Sequence, residues 1–313
     1  MTDRRALYPH LALLLALAAG QWLLPAYHHA NMVRIMVLAT FAMGYNIAFG
    51  YTGLLSLGHA LFFAAGLYAT GLTATLAGLP SGVAPVAGLV SGGVLAVAVG
   101  VLALRTAGVA FMIVTLMFAQ AGYLTVLALG RWTRGDEGIV IPRAARMIGG
   151  LDLSDDAVRY PLALILFGCG LLLCLWLVRS RFGRVMVAMR ENEERARMLG
   201  FNPFGVKLVA LAISGIYAGA AGAAYALMFG YVGASLASVQ YSILPMLWVL
   251  VGGAGTVMGP FIGCCVMFYL IDYASTLTSA TLLVVGVALV ILILFAPSGI
   301  LGIVRQRGAR WLP

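Results

Sequence analysis

The stretch Arg179–Lys207, RSRFGRVMVAMRENEERARMLGFNPFGVK, decides the architecture of this chain. Apolar segments long enough to cross a bilayer flank it on both sides. It carries seven of the nineteen basic residues and three of the ten acidic ones. A basic excess between spans marks the cytoplasmic face, where Lys and Arg are retained. Val185, Ala188, Met189, Asn192, Ala196 and Leu199 recur at spacings of three and four, so they share one helical face. The spacing predicts a short helix over about 184–199. Gly200 stops it, and Asn202-Pro203 turns the chain. An apolar stripe at a membrane surface either rests on lipid headgroups or meets a partner.

Composition extends the same conclusion to the whole chain. Of 313 residues, 63% are apolar and 9% charged, with a mean hydropathy of +1.03. Soluble domains carry about 25% charged residues. The expected fold class is an all-α polytopic membrane protein in a single transmembrane domain, 1–313. The pI near 9.7 does not point to nucleic acid, because the charges are dispersed between spans and set orientation. Cys169, Cys174, Cys264 and Cys265 all lie in apolar runs and read as small apolar residues rather than disulfides or metal ligands. Arg4 and Arg5 before the run Leu11–Ala19, with Ala16-Leu17-Ala18 resembling a cleavage site, imitate a signal peptide. The apolar run continues through Trp22, Leu23 and Leu24, which favours a retained first span.

About 20 apolar residues cross a hydrocarbon core. On that scale the predicted spans are 6–25, 32–50, 60–78, 83–104, 108–129, 160–178, 206–229, 241–254, 258–274 and 281–296. Ten spans put both termini on one side. With the termini in the cytoplasm, thirteen basic residues lie inside and six outside. The inner set includes Arg4, Arg5, Arg105, Arg305, Arg307 and Arg310. The outer set is Arg34 and five arginines of the 130–159 loop, a solvated extracytoplasmic segment or a docking surface for an external partner.

Two places break the helical pattern at membrane depth. One is Phe49-Gly50-Tyr51-Thr52-Gly53 through His59. The other is Leu250 to Pro260, with Gly252, Gly253, Gly255 and Gly259. Non-helical backbone there needs protein or a water-filled cavity around it. Phe49-Gly50-Tyr51-Thr52-Gly53 also recurs as Phe229-Gly230-Tyr231-Val232-Gly233, once at an inner helix end and once at an outer one. That is the pattern of an inverted repeat about a midplane pathway. Glycines and alanines at 88–100 and 214–224 suit close helix packing.

Several chemistries are missing. There is no Gly-x-x-x-x-Gly-Lys-Ser/Thr phosphate loop, and Lys207 is the single lysine. No Ser, His and carboxylate set supports an embedded enzyme. Asp272, beside Tyr269 and Tyr273 near the predicted outer end of its helix, is the sole acidic candidate within the spans; it reads first as an interfacial residue flanked by belt tyrosines, and otherwise as a gating or substrate contact. A stand-alone secondary carrier is therefore the weaker transport model, and energy is expected from a partner.

Four ordered blocks carry a resemblance. Glu194-Arg195-Ala196-Arg197-Met198-Leu199-Gly200 resembles the Glu-Ala-Ala-x-x-Leu-Gly coupling motif of ATP-binding-cassette importer permeases, with Arg195 in place of the usual small residue. Gly53-Leu54-Leu55-Ser56-Leu57-Gly58-His59, Leu104-Arg105-Thr106-Ala107-Gly108 with Phe111 and Thr115-Leu116, and Gly252-Gly253-Ala254-Gly255-Thr256-Val257-Met258-Gly259-Pro260 narrow it. Together they resemble the branched-chain amino acid permeases, specifically the LivM-like subunit, from about Ala39 to Gly302. The related sugar-type permeases fit the His59 and Gly-Pro blocks less well.

The resemblance implies a transport subunit and not an enzyme. No cofactor is expected in this chain, with ATP and Mg on two cytoplasmic ATP-binding subunits. The other implied partners are a second homologous permease, an extracytoplasmic solute-binding protein and the bilayer of a bacterial inner membrane. It also implies alternating access and an ATPase-coupling set of Arg190, Glu191, Glu194, Ala196, Leu199, Gly200 and Pro203. Tyr45, Asn46, Tyr51, Ser56, His59 and Gln120 are the expected path or gate residues, each of which also suits plain packing. The first block often carries Gln where this chain has Leu54 or Leu55. Relatives move hydrophobic amino acids, and others urea, short amides or aromatic acids.

Overall fold

The computed structural model describes residues 7–76, 82–277 and 280–307. In chain order its helices are α1 (Leu7–Leu23), α2 (Ala26–Asn46), α3 (His59–Leu76), α4 (Val83–Ala103), α5 (Val109–Ala128) and the short α6 (Gly130–Thr133). Then follow α7 (Asp156–Arg179), α8 (Arg181–Glu191), α9 (Glu193–Met198), α10 (Pro203–Phe229), α11 (Val239–Gly252), α12 (Gly259–Leu277), α13 (Thr281–Phe295) and α14 (Ile300–Arg307). A π turn, Ile47–Tyr51, continues α2. Four two-residue strands form two small ladders. β1 (Ile139–Val140) pairs antiparallel with β4 (Tyr231–Val232), and β2 (Met147–Ile148) with β3 (Leu151–Asp152).

Each predicted span coincides with a helix. Among the described residues, Ala26–Tyr51, Val83–Ala103, Val109–Ala128, Asp156–Arg179, Pro203–Phe229 and Gly259–Leu277 are long and apolar enough to cross a membrane. Leu7–Leu23, Val239–Gly252 and Leu283–Leu292 are apolar but shorter. The chain is an all-α polytopic membrane protein. Arg4, Arg5 and Arg310, and the outermost residues of the predicted spans 6–25 and 60–78, lie outside the described residues.

The centre of the bundle is α2. Every residue from Ile35 to Ala48 is buried, as expected of a helix that is apolar all round. It runs antiparallel to α10, with Arg34 over the Phe229 ring and Gly44 against Ser214 and Tyr217. It also runs antiparallel to α12, where the Tyr27 hydroxyl donates to Asp272 and Cys264 lies against the Ile35 carbonyl. Asp272 thus joins two helix ends at the rim.

The α3, α4 and α10 seams are made by glycine. A Cβ on Gly66 would stand 2.2 Å from the Gly219 carbonyl oxygen, and one on Gly92 2.5 Å from that of Gly215. Lipid tails are as apolar as leucine, so helices in a membrane gain by such close backbone approach rather than by hiding apolar surface.

The bundle has two distinct ends. The π turn of α2, the α4–α5 turn at 104–108, α8, α9, the start of α10 and α14 gather at one. The other holds α6, the β1–β4 pair and the start of α7, where Arg159 reaches the Met228 carbonyl at 3.4 Å. There Arg143 Nε donates to Asp152 at 2.6 Å and the Ser154 N–H donates to it at 2.8 Å. The Ser154 N–H first, and the guanidinium second, hold the Asp152 carboxyl below the usual carboxylate range. A depressed folded value stabilises the loop in full above the ordinary pKa of about 3.9 and is lost as pH falls through the lower folded value. Amide exchange at Ser154, corrected for its intrinsic pH dependence, is expected to stay slow at about pH 5 and to quicken below about pH 4. Exchange already fast at neutral pH would remove that bond from the account.

Both expected breaks are present and covered by protein. Between α2 and α3 the Leu57 N–H donates to Thr115 Oγ1 at 3.2 Å and the Gly58 N–H to Ser56 Oγ at 3.1 Å. In the segment before α12, Asn46 Oδ1 accepts the Gly255 N–H and Asn46 Nδ2 donates to the Thr256 carbonyl, each at 2.9 Å. A third break, 230–238, holds β4 and a 3-10 turn at Ala234–Ala237. It gives the short repeat a geometric meaning. α3 begins six residues after Gly53 and α11 six residues after Gly233. The two first turns touch, the Ala60 N–H donating to Ser242 Oγ at 2.9 Å.

Candidate functional site

Two assemblies concentrate the expected functional residues. The first is the surface around 181–207. Ser180 caps α8, its Oγ accepting the Gly183 N–H at 3.1 Å. The expected helix over 184–199 is two helices. Asn192 is extended, with φ −159°, and its side chain caps α9 by accepting the Arg195 N–H at 2.8 Å. An Asn inside a helical pattern competes for backbone hydrogen bonds, and here it breaks the helix. The break moves the buried stripe. Gly183, Met186 and Met189 are buried on α8 and Ala196 on α9, whereas Val185 and Ala188 sit at the edge and Leu199 is 72% exposed.

Gly200 ends α9 at φ +88°, the left-handed region that favours glycine. The Phe201 N–H bonds the Ala196 carbonyl at 3.2 Å and the Gly200 N–H that of Arg197 at 3.0 Å, a Schellman closure. Asn202 caps α10 by accepting the Gly205 N–H at 3.3 Å, with Pro203 in the first turn. Glu193 is tied to Lys207 at 2.5 Å and to Arg197 at 3.7 Å. Glu191 and Glu194 are exposed and make no ion pair among the described residues. Arg190 is exposed as a residue, but its guanidinium donates to the Gly50 carbonyl.

Sequence patterning missed the exposed apolar members of this surface, Met198, Phe201 and Phe204. Met198 is 85% exposed, and the two phenylalanines line a cleft of about 610 Å³ with Arg105, Arg197 and Lys207. The available signal was apolar residues off the predicted stripe, next to a run of charge. At this helix tip Leu199 and Met198 are exposed beside Glu194.

The second assembly is a buried polar cluster where α3 begins. His59 Nε2 lies 2.8 Å from Ser214 Oγ on α10. Its ring meets Tyr45 edge to face at 4.6 Å. Ser56 is buried beside them, and among the described residues His59 Nδ1 has no hydrogen-bond partner. Tyr45, Ser56 and His59 therefore come together. Asn46 and Tyr51 do not join them. Asn46 faces the 253–258 segment as a two-bond latch, and Tyr51 is buried at the π turn. Gln120 is separate again, exposed on α5, a helix that buries little of its surface. Ser214, Ser242 and Thr115 tie this cluster together; Thr115 entered the sequence reading only through the Thr115-Leu116 pair, and the bonds of all three had no local signal. Among the described residues no group of His, Cys, Asp and Glu is spaced to hold a metal.

Comparison with known proteins places the chain. Residues 29–296 match the family model described as branched-chain amino acid transport system / permease component. The high-affinity branched-chain amino acid transport system permease protein LivM of Escherichia coli K12 is 30% identical over 299 residues, covering 87% of this chain and 69% of that protein. Its namesake in Salmonella typhimurium LT2 is 29% identical over 301 residues, covering 89% and 70%. The autoinducer 2 import system permease protein LsrC of Photorhabdus laumondii is 24% identical over 148 residues, covering 45% and 42%. No solved structure matches the chain. The match spans the bundle from α2 to α13, both breaks and the 181–207 surface, and the chain belongs to the family of branched-chain amino acid transport system permease components.

Proposed function

We propose that this chain is one of two membrane subunits of an ATP-binding-cassette importer for branched-chain or other hydrophobic amino acids. In this proposal ten helices cross the bacterial inner membrane and both termini are cytoplasmic. The end holding α8 and α9 faces two ATP-binding subunits. The other end, with Asp152 and β1–β4, faces a solute-binding protein. A second permease covers the exposed side of α5, and solute passes between the two permeases.

The observation that carries the proposal is the α9 tip. A charged, capped turn with Leu199 72% exposed and Glu194 unpaired sits where the family match continues on both sides. Basic residues cluster at the same end, including Arg105, Arg184, Arg195, Arg197 and Lys207, which supports a cytoplasmic assignment. ATP binding would favour one of two arrangements of the permease pair, so that access alternates by a shift in population.

The test is uptake by the intact complex, with its binding protein, in proteoliposomes. ATP-dependent uptake of leucine, isoleucine or valine is expected. Uptake of urea, acetamide or an aromatic acid in their place would reassign the cargo within the same class, and uptake by this chain alone without ATP would overturn the class. His59→Ala is expected to lower uptake about fivefold or more, since loss of ~1 kcal/mol at a gate slows passage by that factor. Full uptake by that variant would leave His59 a packing residue.

A further inference from the structure

We infer that Arg190 is the pin through which movement of the α8–α9 element reaches both broken segments of the bundle at that end. This inference rests on the importer proposal and assigns Arg190 an inward role, as a positioning residue rather than an ATPase contact.

The end of α2 leaves carbonyls without helical partners, as every helix end does. Three of them find local donors. Thr52 Oγ1 donates to the Ile47 carbonyl at 3.0 Å, the Leu54 N–H to that of Ala48 at 2.9 Å and the Gly53 N–H to that of Phe49 at 3.0 Å. The fourth, Gly50, is met from 140 residues away by Arg190 Nη1. A cation at a helix C-terminus is also favoured by the helix dipole.

The same guanidinium lies across a seam. Gly50 and Gly255 approach so closely that a Cβ on Gly50 would stand 2.5 Å from the Gly255 nitrogen. A Cβ on Gly255 would in turn stand 2.9 Å from Arg190 Nη1. The stem of Arg190 runs along Gly53, where a Cβ would be 3.3 Å from Arg190 Cγ. Gly53, at φ +78°, and Gly255, at φ +75°, thus flank the Arg190 side chain where it crosses the seam as a slot.

Three further features make the slot a mechanical link. Arg190 occupies the last turn of α8, two residues before the break at Asn192, so it sits beside a built-in joint. It makes no ion pair among the described residues, and its named partner is a backbone carbonyl. Pulling on Arg190 therefore pulls on main chain, and through the Asn46 latch on Gly255 and Thr256 together. Beyond the slot lies a cavity of about 840 Å³ bordered by Phe49, Thr256, Ser298 and Arg305, which leaves room for the guanidinium to swing. Arg305 approaches the Gly255 carbonyl from its far side at 3.5 Å. The planar guanidinium suits such a carbonyl-lined seam; lysine keeps the charge without the fork.

The test uses the intact transporter with its ATPases and binding protein in proteoliposomes, and reads ATP hydrolysed per amino acid moved. For Arg190→Ala the ratio is expected to rise about tenfold, the size of a coupling free energy between two sites. Arg190→Lys is expected to fall between it and the parent, and the ATPase subunits should copurify with both variants in the parental proportion. An Arg190→Ala ratio equal to the parental one, whether uptake and hydrolysis fall together or neither changes, overturns the pin while leaving the importer standing. Should Arg190→Ala fail to assemble, Arg190→Lys decides: a ratio raised about twofold or more supports the pin, and an unchanged ratio overturns it. A parental protein that moves its solute without ATP overturns the importer and the pin together.

Discussion

Alanine at both Glu194 and Gly200 is expected to cut uptake about tenfold or more while the bundle stays folded. Glu194 is exposed and makes no ion pair among the described residues, so its loss removes no internal bond of that kind. Gly200 has open space around its Cα but a φ of +88°. An alanine there costs about 1–2 kcal/mol in the left-handed region and loosens the closure that aims Leu199 and Phe201 outward. Both changes fall on the α9 tip, far from the α2–α10 core. The ATPase subunits should be recovered with this variant in reduced amount, which separates it from Arg190→Ala. The melting temperature of the chain in detergent should move by no more than about 4 °C. Parental uptake by the double variant would remove α9 from the coupling path.

Alanine at Gly66 has the opposite signature, a large loss of stability at a buried helix seam. The added methyl would meet the Gly219 carbonyl oxygen at 2.2 Å and its Cα at 2.5 Å. These are backbone atoms of a packed helix and cannot rotate away. The α3–α10 seam must open along its length, which costs about 3 kcal/mol as overpacking before lost contacts are counted. Gly286→Ala is the matched control. Among the described residues nothing lies within 4 Å of its Cβ position, and it is exposed on α13. There alanine should stabilise slightly, by about 0.5–1 kcal/mol, through helix propensity. The expected result is a monodisperse Gly286→Ala protein with an unchanged or raised melting temperature, and a Gly66→Ala protein lowered by about 5–10 °C or lost to aggregation. Equal behaviour of the two would mean that the seam is not close-packed.

These two residues show what the amino-acid sequence carried and what it did not. Gly88, Gly92, Gly215 and Gly219 stood out as small-residue runs, and small residues have one main use between membrane helices. Each predicted span is a helix, because hydropathy over about 20 residues has few other solutions. Boundaries were harder at the breaks. The 230–238 segment showed only as the gap between the predicted spans 206–229 and 241–254 and through the likeness of its start to Phe49–Gly53.

The 181–207 surface was half legible. Gly200 and Asn202-Pro203 announce a stop and a restart, and the structure closes them as a Schellman turn and a capped helix. The stripe held at Met189 and Ala196, which are buried, and failed at Val185, Ala188, Asn192 and Leu199, where Asn192 had been counted as a member of a continuous helix. Its side chain instead caps α9, and Met186 replaces Val185 as the buried residue.

The buried cluster was less legible still. His59 is distinctive, but its partner Ser214 lies 155 residues away and nothing local marks the pair. Asn46 drew attention as a lone polar residue in a span. Its two bonds to the Gly255 segment depend on a fold in which the α2 end and a distant loop share one seam.

The importer account stands most directly on what travels with this chain out of the membrane. The decisive measurement is extraction from native membranes in mild detergent, with native mass determination and identification of every subunit. The account predicts one complex containing this chain, one homologous permease and two ATP-binding subunits. A chain that runs without ATPases, and that moves solute when reconstituted alone, would contradict it.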